Sequence, residues 1–262
     1  MNRKIYLLLG VLMFGISANL FPQVADSIDI PNNAFITGEI LKYDAKYGFI
    51  KGGEATLSIE LFPHGYSYVY HAKAIATTSG LTGKFFSIKD IYESYFDILT
   101  GLPIVSVRNI HEENYMRFNE VRFDHEHNKL ISLQKGECEI TGYVFDILSA
   151  YYYSRTFLFK NLEKNKTIPL NVYFDDEFYD MDLVYKGKDK IRTNFGKLEC
   201  LLFAPAIKET SIFKKESDLR IWFTNDGNFI PVRMKIELEV GSVSFELTGF
   251  TGTKTHLNSN EH

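Results

Sequence analysis

The sequence predicts a mainly β protein: a large curved antiparallel meander sheet, either a half-barrel or an open sandwich, with one short helix. Three observations predict it. Apolar and polar residues alternate with period two along most of the chain, the mark of strands with one face buried. The alternating runs are short and rich in aromatic and β-branched residues, and turn residues such as "PHG", "TGLP", "HEEN" and "EHNK" separate them. A single stretch, "DILSAYYYSRTFLF", has helical spacing instead. Many consecutive strands with one helix suit a strongly bowed sheet whose helix covers an open end.

The chain opens with Arg3 and Lys4, then the apolar run "IYLLLGVLMFGI", then the small residues of "SAN". That is the layout of a secretory signal peptide, residues 1–18, cleaved after Ala18 with Ala25 as a later option. The apolar run falls short of the ~20 residues that a membrane helix needs. No cysteine lies near the cleavage region, which argues against lipid attachment. The expected location is the periplasm, with peripheral association at the outer membrane compatible with it, and no transmembrane span is expected in the mature chain. Cleavage removes Arg3 and Lys4, two positive charges, so the formal net charge of −4 becomes −6. A mildly acidic chain argues against nucleic acid, which calls for a basic face.

Residues 26–253 are expected to form a single antiparallel β domain, and residues 254–262 a disordered polar tail. The first hairpin is "YDAKYGFIKGGEATLSIE". Leu41, Tyr43, Ala45, Tyr47 and Phe49 share one face, and after "KGG" the residues Ala55, Leu57, Ile59 and Leu61 continue it. Gly52 and Gly53 are read as serving the bend, as a turn or a bulge. The strands "YSYVYHAKAIA", "KDIYESYFD", "PIVSVRNIHE", "NYMRFNEVRFDHE" and "KLISLQKG" follow. Asp146 is a good N-cap type, so a helix is placed from Ile147 to Phe157, packed by its tyrosines. "KNLEKNKT" marks a candidate seam between two sheet halves. Strands resume with "TIPLNVYFDDEFYDMDLVYKG", and "NDGN" at Asn225–Asn228 signals a hairpin. Val232, Met234, Ile236, Leu238 and Val240 are assigned to the core. Two cysteines, Cys138 and Cys200, permit a disulfide without requiring one; Cys200 reads as a small buried hydrophobe.

The order and spacing of these motifs, "GEILKYDAKYGFIKGGEATLSI", "KDIYESYFD", "GLPIVSVRNIHEENY", "DILSAYYYSRT", "VYFDDEFYDMDLVYKG" and "LRIWFTNDGNFIPVRMKIELEV" among them, resemble DUF3108, an uncharacterised family of exported bacterial proteins. The Bacteroidetes-type variant is the most similar. The resemblance spans Gly38 to Phe250 and implies an exported, β-rich half-barrel; it implies no reaction.

The densest polar stretch is "VRNIHEENYMRFNEVRFDHEH". Arg108, His111, Tyr115, Arg117, Arg122 and Asp124 within it are the candidate ligand-binding residues. Alternation puts Arg117 with Tyr115 and Asn119 on one face, and Glu120, Arg122 and Asp124 on the other. On the concave wall of a bowed sheet, Arg108 or Arg117 can fork a carboxylate or phosphate; the plainer reading is cross-strand ion pairs on a wet face. His125 and His127 lack a defined third ligand for zinc, and "DDEFYDMD" lacks the glycine of a calcium loop, so no metal and no cofactor are expected. Nucleophile-elbow, metalloprotease and phosphate-loop motifs are absent, and an enzyme ranks third. Aromatic residues make up 15% of the chain, which suits either a packed core or the wall of an apolar pocket with a few polar anchors. The first expectation is a non-enzymatic protein that binds an apolar or amphipathic ligand (a lipid, glycan or peptide) or an envelope partner on the concave face. The alternative is a structural or assembly protein of the envelope with no small ligand.

Overall fold

A computed structural model describes residues 34–79, 87–156, 167–207, 219–238 and 240–254. The leader, residues 160–166 of the candidate seam, and the tail beyond Lys254 lie outside the described residues. Eight strands run first: β1 (Ile40–Tyr47), β2 (Ile50–His64), β3 (Ser67–Thr78), β4 (Lys89–Asp97), β5 (Pro103–Glu112), β6 (Tyr115–Asp124), β7 (Lys129–Ser132) and β8 (Gly136–Glu139). They form an antiparallel meander in which each strand pairs with the next. The two-residue β9 (Val144–Phe145) and the helix α1 (Ile147–Thr156) follow. A second meander completes the chain: β10 (Thr167–Phe174), β11 (Glu177–Thr193), β12 (Gly196–Ile207), β13 (Leu219–Thr224), β14 (Pro231–Glu237) and β15 (Ser242–Thr251).

β15 returns to pair antiparallel with β1, so all the strands join one 15-stranded sheet with β8 and β9 at its edges. The sheet is bowed but not closed into a barrel. One pairing departs from the antiparallel expectation: Val144 and Phe145 lie parallel to Asn171 and Val172. The chain crosses through α1 between these strands, and a crossover connection brings a strand back in the same direction.

Cross-strand register identifies the inner face. Leu41 lies opposite Leu57, Leu57 opposite Ala74, Ala74 opposite Tyr92, Tyr92 opposite Arg108 and Arg108 opposite Asn119. Side chains directly opposite share a face, so these residues form one row across six strands. The bow brings its ends together: Tyr92 of β4 stacks on Phe174 of β10 at 6.2 Å between centroids, although the two strands lie in opposite halves of the sheet. Buried Phe145, Leu170, Phe203 and Phe223 fill the C-terminal half, and Leu41, Tyr43, Trp222, Val232 and Leu247 the junction.

α1 occupies one end of the hollow. Asp146 caps it by accepting from the amides of Leu148 (2.8 Å) and Ser149 (3.1 Å), while Ser149 Oγ accepts from the Asp146 amide, a reciprocal arrangement that satisfies end groups on both sides. Leu148 and Tyr152 pack on Ile59, Ala72, Phe96 and Phe35. Arg155, in the last turn, is fully buried and forks Glu39, also fully buried, at 2.6 and 2.8 Å.

Several local assignments shift. The β1–β2 turn is at Gly48, with φ of +58°, rather than at "KGG". Gly52 and Gly53 lie inside β2, where the register slips between Ala45 and Lys46, so the pair makes a bulge. A Cβ on Gly53 would stand 2.5 Å from the Thr77 carbonyl oxygen. Phe49 and Val240, assigned to inward faces, sit in turns and are 93% and 77% exposed, because alternation stops where the strand does. Cys138 and Cys200 are free thiols in different clusters.

Candidate functional site

The inner face between the two halves is not filled. A cavity of about 160 Å³ lies there. Its wall includes Leu57, Ala74, Leu183, Ile221, Met234 and Phe245 from the strands and Ile147, Ala150 and Tyr151 from α1. The local sequence explains the space. β3 places Ala72, Ala74 and Ala76 on the inner face, and β2 places Ala55 opposite Ala76. Ala55, Ala74 and Ala76 point inward yet are only half-buried, because short side chains opposite one another do not reach the far wall. A dry cavity of this size class, lined by apolar groups, accepts a benzene-sized apolar group.

Next to it is a polar cavity of about 40 Å³, lined in part by Ser106, Arg108, Asn119, Asp146 and Asp175. Tyr92, Ile147 and Leu148 border both spaces. Arg108 rests over the rings of Tyr92 (5.9 Å) and Phe174 (4.7 Å), a geometry that holds a guanidinium against aromatic faces.

Two arginines of the candidate set converge on the tip of the β10–β11 hairpin. Asp175 and Asp176 both have positive φ, 51° and 66°, as the two-residue turn that matches strand twist requires. Arg108 pairs with Asp175. Arg117 reaches Asp175 at 2.8 Å and Asp176 at 2.7 Å. Asp176 also accepts from Asn119 Nδ2 (2.9 Å) and Ser132 Oγ (2.5 Å), and Lys135 Nζ donates to its carbonyl at 2.6 Å. This group latches the hairpin of one half-sheet to β5, β6 and β7 of the other, across the gap that no backbone ladder closes. Cys138, Tyr173 and Phe178 pack beside it. The side chains of the two acids are only 18% and 12% exposed. Burial raises the Asp176 pKa, but the hydrogen bonds from Ser132 and Asn119 and the Arg117 charge outweigh it and hold the carboxyl below its ordinary range.

Tyr115, exposed at the start of β6, interacts with the Arg117 guanidinium at the rim of the latch. The other candidates are elsewhere. Arg122 pairs with Glu120 at 2.6 Å on the outer face. Asp124 pairs with His127 at 2.9 Å, also outside. His111 faces outward, and its amide donates to Asp90 Oδ1 at 3.2 Å. His125 Nε2 stands 3.2 Å from the Pro103 carbonyl oxygen. Among the described residues, no group of three or more His, Cys, Asp or Glu side chains is placed to hold a metal.

Sequence reasoning missed the pairing of Asp90 with Glu112. Both are buried on the inner face of β4 and β5. Burial first, then the neighbouring Asp90 charge, pushes the Glu112 pKa up to about 7, and burial raises Asp90. Neither borders the two cavities, so the two carboxyls lie inside the wall, outside the candidate site. Tyr92 was equally unremarked; burial pushes its hydroxyl up to about 12.

The comparisons with known proteins agree with the architecture. The family described as a protein of unknown function, DUF3108, matches residues 42–248. No curated protein matches the chain. Among solved structures, a β-barrel-like protein of the DUF1849 domain of unknown function from Brucella abortus is similar, with 12% identity and a TM-score of 0.54 over 83% of this chain and 98% of that one. A DUF1089 family protein from Pseudomonas aeruginosa shares 10% identity with a TM-score of 0.40 over 68% of this chain and 87% of its own. The first of these likenesses bears on the fold alone.

Proposed function

The chain belongs to the DUF3108 family of unknown function, and from that premise we propose that it is an exported binding protein that takes the apolar part of an amphipathic ligand into its bowed sheet. The observation that carries this is the cavity of about 160 Å³ walled by inward alanines. Large aromatic residues are abundant in this chain, 22 Phe and 16 Tyr, yet at this one level of the sheet small residues face one another. Cavities in a core normally cost stability in proportion to their volume, so an unfilled, apolar space suits a binding role. A cavity of this volume takes a compact apolar group, and a longer chain extends beyond it.

Of the six candidate residues, Arg108 is assigned to the polar end of the ligand and Arg117 to the latch that shapes it. Tyr115, His111, Arg122 and Asp124 are assigned no contact. The basic and apolar leader supports export to the periplasm. Among the described residues no helix is long and apolar enough to cross a membrane.

The test is native mass spectrometry of the protein expressed with its leader and purified from its own envelope. A small molecule that leaves on solvent extraction is expected; repeated preparations at the mass of the bare chain contradict the proposal. The exposed apolar residues Phe49, Ile50 and Val240 favour a second reading, an envelope assembly protein. In that case the same spectrum holds a protein partner and no small molecule.

A further inference from the structure

Two buried donors on the wall of the polar cavity make no well-aligned hydrogen bond among the described residues, the hydroxyl of Tyr92 and Nε of Arg108, although the two side chains interact with each other. They are directly opposite each other across the β4–β5 ladder. Both residues line the polar cavity of about 40 Å³, and Tyr92 also lines the apolar one. A buried donor left unpaired costs the protein its desolvation free energy, and two such donors at one point call for an oxygen with two lone pairs. The other charges there decide what kind of oxygen. Asp146 and Asp175 line the same space, and Asp175 already occupies Arg108. Glu93 also borders the space and Arg117 shares Asp175, so two guanidiniums against three carboxyls leave no excess positive charge for an anion. Room for about three water-sized groups admits a small head, not a phosphodiester or a sugar.

Resting on the binding role above, we propose that the polar cavity is a head-group subsite for a neutral oxygen acceptor, an ester or amide carbonyl or a hydroxyl, and that Tyr92 and Arg108 donate to it while the apolar body fills the larger cavity. A carboxylate of the same length is discriminated against. Tyr43 and Tyr151, whose hydroxyls interact with each other, line the apolar cavity alone and take no part in head-group choice.

Displacement of the neutral fluorophore N-phenyl-1-naphthylamine from the purified full chain separates the possibilities, with methyl decanoate, decanoate and undecane as competitors at neutral pH. The ester should compete more strongly than undecane by roughly three- to tenfold, the worth of a neutral hydrogen bond or two. It should also outcompete decanoate by at least about tenfold. In Tyr92→Phe the advantage of the ester over undecane should shrink, both competitors being measured against that variant's own fluorophore affinity. The free variant should unfold at an equal or higher temperature, because its lost hydroxyl made no well-aligned hydrogen bond. Tyr43→Phe should keep the ester advantage. Equal competition by ester, acid and alkane while the fluorophore binds overturns the head-group subsite and leaves the apolar cavity standing; so does an unchanged ester affinity in Tyr92→Phe, which would mean that the polar space holds water only. Failure of the fluorophore and of every competitor to bind overturns both.

Discussion

At the scale of single residues, the buried charges set the sharpest expectations. Arg155 and Glu39 are both fully buried, and Arg155 also donates to the Asn228 carbonyl at 3.0 Å and lies 5.5 Å from the Phe35 ring. Removing one member of such a pair leaves an uncompensated charge in low dielectric, which costs about 3–5 kcal/mol. Glu39→Ala should therefore lower unfolding stability by that amount in urea melts, and a loss below about 1 kcal/mol would mean that water reaches the pair. Glu112 works in the opposite sense. Its carboxyl titrates near 7 in the folded protein, above the ~4.3 of an exposed glutamate. The unfolded chain loses this proton first, so the contribution to stability is complete below about pH 4 and is lost as pH rises towards 7. Glu112→Gln should be more stable than the wild type by about 1–3 kcal/mol at pH 8, and the difference should vanish near pH 4. A constant difference across that range would show that the carboxyl is solvated.

At the scale of elements, the β10–β11 hairpin and its latch join the two halves without a ladder. Asp176 accepts from Arg117, Asn119 and Ser132, and charge-assisted bonds of this kind are the strong ones. Asp176→Ala leaves Arg117 with Asp175 alone and should cost about 1–3 kcal/mol. Hydrogen exchange should quicken in β7, β10 and β11 before it does in β1, β2 and β15. Uniform loss of protection would show that the seam is no weaker than the rest. The hairpin also shows where sequence reading stops. The alternation of "YMRFNEVRF" places Arg117 and Asn119 on one face, and the acids lie far away in "TIPLNVYFDDEF". Nothing in either string says that they meet, because the contact spans 59 residues and is created by the bow of the whole sheet. The helix was legible for the opposite reason: Asp146 and the spacing behind it are local, and the capping bonds of Asp146 fix its start at Ile147.

At the scale of the molecule, the meander and the curvature were readable from periodicity because each strand pairs with its sequence neighbour. The return of β15 to β1 and the parallel placement of β9 were not, since both depend on long-range closure. The cavity was half-legible. The string "HAKAIA" puts three alanines on one face, but their meaning appears only when the far wall is known to be out of reach. Filling that space tests its emptiness: Ala74→Phe should fold with stability within about 1.5 kcal/mol of the wild type, as side chains that enter a void do not overpack. The most direct measurement of the central claim is a fluorescence titration of the wild type and Ala74→Phe with N-phenyl-1-naphthylamine. Saturable one-to-one enhancement in the wild type, lost in a folded Ala74→Phe, is the predicted result. Equal enhancement in both proteins would contradict it and place apolar binding outside the bowed sheet.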